Sequence, residues 1–192
     1  MSISRYRDDV DRYFEYDIDL TSDTIDIFDD IDTISAAKFL KGLLILEKKN
    51  IDVIKIRLST PGGDWYSGMG MYDAIRFCKK PVEITGYGLV MSMGTVIMQA
   101  ATKRILSPEC TFMVHQGTEF IGGKVSDALS QAEEAKRTMK KMEDIFMERI
   151  KQKLPNFKRS ELTKMLATDT FMTAEKAVNL GLVDEILIHG DK

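Results

Sequence analysis

The sequence predicts an α/β fold built on a mostly parallel sheet. Strand-like and helix-like segments alternate along its 192 residues, as they do in folds whose parallel strands are joined by helices. The clearest strand covers residues 53–59, where Ile and Leu alternate with Lys, Arg and Ser. A long amphipathic segment at 125–152 has no strand directly after it, so we expect a helix there that packs outside the main domain.

The predicted strands are short apolar or alternating runs that turn residues bound on both sides. They lie at 24–28, 53–59, 82–86, 103–106, 111–115 and 182–188. The turn Thr60-Pro61-Gly62-Gly63 ends the second of them and is the strongest of these signals. The dipeptide Ser107-Pro108 separates the fourth strand from the fifth.

The predicted helices carry apolar residues three or four positions apart and have recognisable ends. They lie at 33–48, 66–78, 92–101, 125–152, 159–167 and 173–180. Asp32 or Thr33 caps the first helix, and Thr173 caps the last one, which Gly181 stops. The turn Leu154-Pro155-Asn156 ends the long helix.

Composition and charge exclude several classes of protein. The formal net charge is −3 and basic residues form no stripe, so nucleic acid is not an expected partner. No apolar run approaches the ~18 residues that span a bilayer, and the N-terminus is polar, so neither a membrane segment nor a secretory signal is predicted. Cys78 and Cys110 are far apart and match no metal-ligand spacing. We therefore expect a cytoplasmic protein with reduced cysteines, no metal and no cofactor.

Ser92 is the first candidate catalytic residue. In Gly86-Tyr87-Gly88-Leu89-Val90-Met91-Ser92-Met93-Gly94 a strand ends, glycines allow a tight turn, and a helix begins at the serine. A hydroxyl at such a strand-to-helix turn is exposed, as in a nucleophile elbow. The segment departs from G-x-S-x-G, because Val90 takes the place of the first glycine. A serine at a helix start is also a common N-cap, so this position alone leaves both roles open.

His115 and Asp169 are the other two candidates. His115 ends a predicted strand, and the only other histidine is His189, three residues from the C-terminus, so a histidine-dependent reaction would have to use His115. Asp169 directly precedes the segment that ends in the cap Thr173. Taken alone, each residue is better explained as an ordinary structural residue.

The glycines of Pro61-Gly62-Gly63 follow a strand and leave backbone N–H groups open to close approach, as an oxyanion hole requires. The N–H of Met93, at the positive end of a helix dipole, is the natural second donor. A plain turn is the alternative explanation for the two glycines.

Motifs from about residue 24 to residue 188 resemble the proteolytic subunit of the Clp protease, the ClpP family of self-compartmentalised serine peptidases. They stand in family order and at family-like spacings. They are Leu58-Ser59-Thr60-Pro61-Gly62-Gly63, Ser67-Gly68-Met69-Gly70-Met71-Tyr72-Asp73, Ser92-Met93-Gly94, Met113-Val114-His115-Gln116 and Asp169-Thr170-Phe171-Met172-Thr173-Ala174-Glu175-Lys176-Ala177.

The resemblance implies a role for each candidate. Ser92 matches the family nucleophile, His115 the general base, and Asp169 the carboxylate, expected to be buried, that orients the imidazole. Gly63 and Met93 match the positions whose backbone N–H groups hold the oxyanion. The implied activity is serine endopeptidase cleavage of polypeptides through an acyl-enzyme.

The resemblance also implies an architecture. This is the ClpP/crotonase-like fold of repeated β-β-α and β-α units with a protruding handle helix. It divides the chain into an N-terminal arm (1–16), a head (17–120 and 154–192) and a handle region (121–153). Substrate is expected to lie extended near Gly62, beside Ile121 and Gly122, as an added strand. Seven subunits are expected to form a ring, two rings to stack through their handles, and an AAA+ Clp ATPase to be a partner.

The sequence departs from the family pattern at several surfaces. Leu89-Val90-Met91 is bulkier than the usual approach to the nucleophile, Gly117 replaces a common proline, and Thr168 replaces an arginine that many members use in ring contacts. Lys55 and Arg57 occupy outward strand positions that are aromatic in many members and that help to dock the ATPase. The active site thus looks intact while the partner surfaces look altered, which fits a divergent, phage-encoded copy. The ATPase partner is in doubt for the same reason, and an acidic partner segment is expected instead.

Three alternatives stay open on the sequence alone. A phage-type head-maturation protease of the same family would cut capsid proteins without an ATPase. A crotonase-like enzyme would act on acyl-CoA thioesters with paired backbone N–H groups and needs no Ser-His-Asp set. A non-catalytic ring subunit would normally have lost one of the three residues, and none is lost here.

Overall fold

The computed structural model describes residues 17–118 and 121–188, together with Val10, Asp11, Tyr13 and Glu15. The predicted N-terminal arm lies largely outside this part of the chain, as does His189. Within it, helices surround one eight-stranded sheet, which confirms the predicted α/β class. None of the helices described is long and apolar enough to cross a membrane.

Strands and helices alternate along the chain in the predicted manner. The strands are β1 Ile18–Asp19, β2 Thr24–Ile27, β3 Ile54–Thr60, β4 Val82–Met91, β5 Lys103–Leu106, β6 Thr111–Val114, β7 Thr170–Met172 and β8 Glu185–Ile186. The helices with complete bounds are α1 Thr33–Glu47, α2 Trp65–Phe77, α3 Met93–Met98, α4 Val125–Lys153, α5 Arg159–Leu166 and α6 Ala174–Leu180.

The sheet is mostly parallel, as predicted. Its strand order is β1-β2-β3-β4-β5-β8, and β6 adds to β4 and pairs with β7. Only β1–β2 and β6–β7 are antiparallel among the pairings described. Strand β3 shows why the alternating pattern was informative, because Ile54, Ile56 and Leu58 are at most 1% exposed while Lys55 is exposed. The apolar side of β3 thus faces the core.

Strand β4 is longer than the predicted 82–86 and changes partner halfway. Its first half pairs with β5, through Glu83–Gly86, and its second half pairs with β6, through Leu89–Met91. Gly88 lies between the halves with φ of +63°, a left-handed conformation that glycine adopts easily. The strand therefore bends at its glycines instead of ending there, and it delivers Ser92 to the edge of β6.

Two short strands were not predicted, and the last predicted strand is too long. Strands β1 and β7 have only two and three residues, too few for an alternating pattern to be recognised. The predicted strand 182–188 is reduced to Glu185–Ile186, because Leu182 and Val183 turn into the core and Asp184 turns towards Arg104. The caps of α1 at Asp32, and of α6 at Thr173 and Gly181, lie where the sequence placed them.

Helix α4 protrudes, as its sequence indicated. It has 29 residues and is therefore about 44 Å long. All its buried residues lie from Thr138 onwards, whereas Val125 and Leu129, near its start, are 78% and 63% exposed. The second half of α4 packs on the core, and the first half carries apolar side chains that no described residue covers.

Candidate active site

The structure brings Ser92, His115 and Asp169 together in one hydrogen-bonded row. Oγ of Ser92 lies 2.8 Å from Nε2 of His115, and Nδ1 of the same ring lies 2.9 Å from Oδ1 of Asp169. In this arrangement the imidazole N–H at Nδ1 donates to the carboxylate, which leaves Nε2 free to accept the serine proton. The geometry is that of a nucleophile, a base and an orienting carboxylate.

Strand β6 explains why residues so distant in sequence meet. On one side it pairs with β4, and the N–H of Ser92 donates to the Met113 carbonyl at 2.9 Å. On the other side it pairs with β7, with Val114 opposite Thr170. Extending this antiparallel register by one residue sets His115 opposite Asp169. The position of the carboxylate thus follows from a strand that the sequence analysis missed.

Ser92 has a backbone conformation that non-glycine residues rarely adopt, with φ of 50° and ψ of −120°. Such a conformation costs of order 1–3 kcal/mol and persists only where the surroundings fix it. The Ser92 side chain makes no capping hydrogen bond, which rules out the N-cap role that the sequence left open. Its hydroxyl is directed to His115 instead, as the nucleophile-elbow interpretation predicted.

Asp169 differs from the expectation of a buried carboxylate. Its side chain is 59% exposed in the single chain, while the side chain of His115 is 24% exposed. The reason is that Asp169 lies just before β7, at the end of the sheet beyond the last pairing with β6. Within one chain, this carboxylate therefore lies in a solvated position.

Two backbone N–H groups lie where an oxyanion could be held. The N–H of Ile31 donates to the Gly62 carbonyl and the N–H of Asp64 donates to the Ile31 carbonyl, both at 2.7 Å. In a parallel bridge of this kind the residue between the two bonded neighbours, Gly63, directs its own N–H to the opposite side. The N–H of Met93, the first residue of α3, has no acceptor within its helix.

Gly62 lies directly against Ser92. A Cβ atom at this position would lie 2.6 Å from Cβ of Ser92 and 3.0 Å from the Met93 nitrogen, and φ of Gly62 is +109°. Only glycine therefore allows the turn to come this close. Gly62 and Ser92 are in van der Waals contact. The role of Gly62 in binding substrate stays a prediction.

A cleft of about 470 Å³ opens beside Ser92. Gly63, Ser92, Met93 and His115 line one side of it. The other walls are side chains that the sequence analysis did not assign to the site, namely Asp64, Trp65, Tyr66, Val96, Gln116, Gly117, Thr118, Thr138, Met139 and Met142. The methionine spacing on α4 and the aromatic pair after Pro-Gly-Gly are the signals that could have identified this wall.

A second groove, of about 330 Å³, adjoins this cleft along α4. Trp65, Tyr66 and Thr138 line both spaces and so form the partition between them. Ile121 lines the second groove and not the cleft beside Ser92. The structure places Gly122 in neither, and its N–H donates to the Gln131 side chain at 3.0 Å. Ile121 and Gly122 therefore lie further from Ser92 than the glycines of the Pro-Gly-Gly turn.

The partition is held by a contact across the groove. The Tyr66 hydroxyl donates to Oε1 of Glu134 at 2.8 Å, and the Arg137 guanidinium donates to both oxygens of that carboxylate. These hydrogen bonds, from Arg137 first and then Tyr66, lower the pKa of Glu134 to about 2. Within the residues described, no group of three His, Cys, Asp or Glu side chains is placed to hold a metal ion.

The expectation that Lys55 and Arg57 are both available as cations on the outward face of β3 is wrong for Arg57, which forms an ion pair. Its Nε and Nη2 donate to the two oxygens of Asp26, at 2.6 and 2.8 Å, and the Asp26 side chain is only 6% exposed. The pair forms because β2 and β3 place these residues side by side. Lys55 is exposed and carries the remaining positive charge of that strand face.

Comparisons with known proteins agree with this geometry. The family described as Clp protease matches residues 10–190 of the chain. The chain is 31% identical over 155 residues to an ATP-dependent Clp protease proteolytic subunit of Deinococcus radiodurans, and the match covers 79% of this chain and 74% of that protein. A solved structure of a ClpP1 mutant from Listeria monocytogenes superposes with a TM-score of 0.79 and 26% identity, over 89% of this chain and 94% of that one.

Gly62→Ala should abolish most of the reactivity of Ser92. The added methyl group would overlap Ser92 and force the strained turn to move, and a displacement of ~1 Å at a reacting group can reduce a rate about 100-fold. Hydrolysis of p-nitrophenyl acetate, an activated ester, measures this loss. Gly70→Ala in α2, where a Cβ atom has nothing within 4 Å, is the matched control. Equal rates for the two variants would contradict the assignment.

Proposed function

Because this chain belongs to the Clp protease family and is a serine peptidase of that family, we propose that it is an endopeptidase whose nucleophile is Ser92. The observation that carries the proposal is the hydrogen-bonded row from Ser92 through His115 to Asp169 at the edge of a cleft. The substrates are unfolded polypeptides or peptides, because a cleft beside an exposed strand end accepts an extended chain.

The first half of the reaction forms an acyl-enzyme. Oγ of Ser92 attacks the peptide carbonyl carbon while its proton passes to Nε2 of His115. The N–H groups of Gly63 and Met93 stabilise the negative charge that develops on the carbonyl oxygen, and each such donor contributes about 10²–10³ to the rate. The imidazolium, held by Asp169, then gives its proton to the leaving amine, and the carbon–nitrogen bond breaks.

The second half releases the product. Water donates a proton to the same imidazole and attacks the acyl carbon, and the oxyanion is held by the same two N–H groups. The ester bond to Ser92 breaks, the serine recovers its proton from His115, and the carboxylic acid product leaves. Every proton and bond is accounted for by the three side chains, two backbone groups and water, so the reaction needs no cofactor.

The cleft favours an apolar side chain on the residue whose carbonyl is attacked. Trp65, Met93, Val96, Met139 and Met142 supply most of its apolar walls. Thioether side chains are flexible and fit apolar groups of several shapes. Asp64 is a carboxylate among the lining residues, and no lining residue is a cation, so an acidic side chain at this position is disfavoured.

Apolar surfaces that the described residues leave uncovered support self-association. The start of α4 exposes Val125 and Leu129, and a second area exposes Leu44 and Phe77, which is 85% exposed. Large exposed apolar areas on a folded chain mark contact surfaces. We assign them to a ring of seven subunits and to stacking of two rings through α4.

An AAA+ Clp ATPase is the proposed partner, with weakened docking. The Deinococcus relative is described as ATP-dependent, and in such an arrangement ATP would be hydrolysed by the partner. Lys55 on the outward face of β3 replaces apolar contact area with a charge. Because Arg57 is neutralised by Asp26, the preference for an acidic partner segment depends on Lys55 alone.

Ser92→Ala and His115→Ala should each lower peptide turnover by at least about 10⁴-fold, because the members of such a set act as a unit. Asp169→Asn should lower it by about 10²–10⁴-fold, by favouring the wrong imidazole tautomer. The kcat for a fluorogenic peptide measures these effects. Asp52→Asn, at an exposed carboxylate elsewhere, is the control. More than about a tenth of the wild-type kcat in Asp169→Asn would show that Asp169 is not the third member.

Trp65→Ala should widen the preference of the cleft, because it removes the partition to the second groove. Peptides that differ only before the scissile bond measure this as kcat/KM. The kcat/KM of the wild type should be about tenfold or more higher for a peptide with Leu at this position than for one with Ala. In Trp65→Ala, kcat/KM should increase most for the peptide with Trp there. Phe28→Ala removes an exposed aromatic side chain that lines neither space and serves as the control. An unchanged Trp-to-Leu ratio in Trp65→Ala would place the specificity wall elsewhere.

Light scattering should give a mass at least seven times the 21.8 kDa of one chain, since the exposed apolar surfaces need partners. Leu129→Glu should halve the mass of a two-ring particle and leave a single ring, because it puts a charge into the α4 contact. Lys140→Glu, an exposed polar position on the same helix, is the control. A wild-type monomer at micromolar concentration would contradict the assembly.

Peptidase activity should rise little when a typical Clp ATPase is added, and it should rise more for Lys55→Tyr, which restores aromatic contact area. Activity with and without the ATPase, at low and high salt, measures the effect. Lys140→Tyr on α4 controls for an added aromatic ring. Strong, salt-insensitive stimulation of the wild type would show that Lys55 does not impair docking.

A further inference from the structure

A chain of buried polar groups runs away from the carbonyl oxygen of Ser92. The N–H and the hydroxyl of Thr95 both donate to this oxygen, at 3.0 and 2.6 Å. Nε2 of Gln99 donates to the Thr95 carbonyl at 2.9 Å, and Oε1 of Gln99 accepts from Nη1 of Arg104 at 2.8 Å. We name Thr95, Gln99 and Arg104 the polar spine.

The polar spine lies inside the core. Thr95 and Gln99 are fully buried and Arg104 is 4% exposed. Polar groups in such a position destabilise the fold unless each is hydrogen-bonded, and no buried side-chain nitrogen or oxygen among the residues described lacks a partner. A buried network with every partner satisfied has one preferred geometry, so it holds its members more rigidly than apolar packing does.

Asp184 anchors the far end of the spine. Nε of Arg104 donates to Oδ2 of Asp184 at 3.0 Å, its Nη2 donates to Oδ1, and its backbone N–H donates to Oδ2 at 2.8 Å. Nη1 of Arg104 also donates to the Gly181 carbonyl at 3.0 Å. Burial alone would raise the pKa of Asp184, but the hydrogen bonds and charge of Arg104 hold it below its usual range. The anchor is therefore an ion pair at neutral pH.

Arg149 closes the C-terminal end of α3 from the packed half of α4. Its Nε and Nη2 donate to the Gln99 carbonyl at 3.0 and 2.5 Å, and Nη2 also donates to the Ala101 carbonyl at 2.9 Å. Carbonyls at a helix C-terminus have no partner within the helix, and a cation there also interacts favourably with the helix dipole. Gln99 is thus bonded through its side chain on one side and through its carbonyl on the other.

Two groups of the proposed reaction are attached to α3. Ser92 immediately precedes the helix, and the N–H of Met93 is its first donor. The helix has only six residues and no side-chain cap at its start, so contacts outside it must fix its direction. Ser92 is held on its other side by the N–H bond to Met113. The polar spine holds the carbonyl side.

We propose that Gln99 is a positioning residue, which acts through Thr95 to fix the direction of the Ser92 hydroxyl and of the Met93 N–H. This inference rests on the proposed serine peptidase function. Gln99 touches neither substrate nor reacting atoms, and it does not line the cleft. Its loss should therefore lower kcat and leave KM almost unchanged.

Gln99→Met tests the inference, because methionine has a similar shape and cannot form the two amide hydrogen bonds. The kcat for a fluorogenic peptide should fall by about 10- to 100-fold, while KM stays within about twofold. The pH midpoint of kcat/KM should stay the same, because the hydrogen bond between His115 and Asp169 is not touched. Because an unfolded fraction would also lower the apparent kcat at constant KM, kcat is calculated per folded protein, with the folded fraction measured by circular dichroism.

Thr95→Val and Thr95→Ser form a second, independent pair. Valine keeps the shape and removes the hydroxyl that binds the Ser92 carbonyl, whereas serine retains it. Thr95→Val should show the same fall in kcat as Gln99→Met, and Thr95→Ser should keep most of the wild-type kcat. Because both changes break one chain of bonds, the double variant Gln99→Met with Thr95→Val should lose less than the product of the two single effects.

Leu46→Ala in α1 is the stability control, since Leu46 is fully buried and lies in a helix outside the site. At a temperature below all unfolding midpoints, it should keep the wild-type kcat even if its midpoint falls as far as that of Gln99→Met. Wild-type kcat in both Gln99→Met and Thr95→Val would overturn the positioning role. A wild-type protein without Ser92-dependent turnover would instead overturn the proposed function.

Discussion

The pairing of strand β6 with its two neighbours is the constraint on which the candidate site depends. Parallel pairing with β4 brings Ser92 to one side, and antiparallel pairing with β7 brings Asp169 to the other. His115 follows β6 directly and so lies between them. A shift of either register by one residue would turn these side chains to opposite faces of the sheet. Backbone pairing thus brings together three residues separated by 23 and 54 positions, and their side chains then hydrogen-bond to one another.

The sequence predicted the elements whose residues repeat over several turns or pleats, and it missed those that depend on a few residues. The alternation in β3 and the long stripe of α4 were sufficient to place both elements, because each buries one face. Strand β7 has three residues and no such signal. The bend in β4 was interpreted as a strand end, because glycine is equally common at both. Ser92 and His115 could be located from local turns. The position of Asp169 beside His115 could not, because it depends on β7.

The buried polar groups were missed for a different reason. Thr95 and Gln99 are four residues apart in a helix that is otherwise apolar, and this spacing places both on one face. The pattern was visible, but their partners Arg104 and Asp184 come from other elements and depend on tertiary structure. Similarly, the positive charge of Arg57 could not be known to be neutralised until β2 was seen beside β3. The charge on the surface of a sheet depends on neighbouring strands, so it cannot be predicted from one strand alone.

In the single chain, part of the candidate site and part of α4 are exposed to solvent. Asp169 is solvated, and the first half of α4 carries apolar side chains with no cover from the residues described. The row from Ser92 to Asp169 is nevertheless complete within one chain, and its distances are those of ordinary hydrogen bonds. The geometry around Ser92 is therefore set by contacts within one chain.

The central claim is that Ser92 is a nucleophile activated by His115, and covalent labelling with a fluorophosphonate tests it most directly. Intact-mass measurement of the folded protein should show one adduct per chain, with loss of fluoride, and peptide mapping should place it on Ser92. The adduct should be absent in Ser92→Ala and should form much more slowly in His115→Ala. A folded wild-type protein that forms no adduct, or that forms it at another residue, would contradict the account.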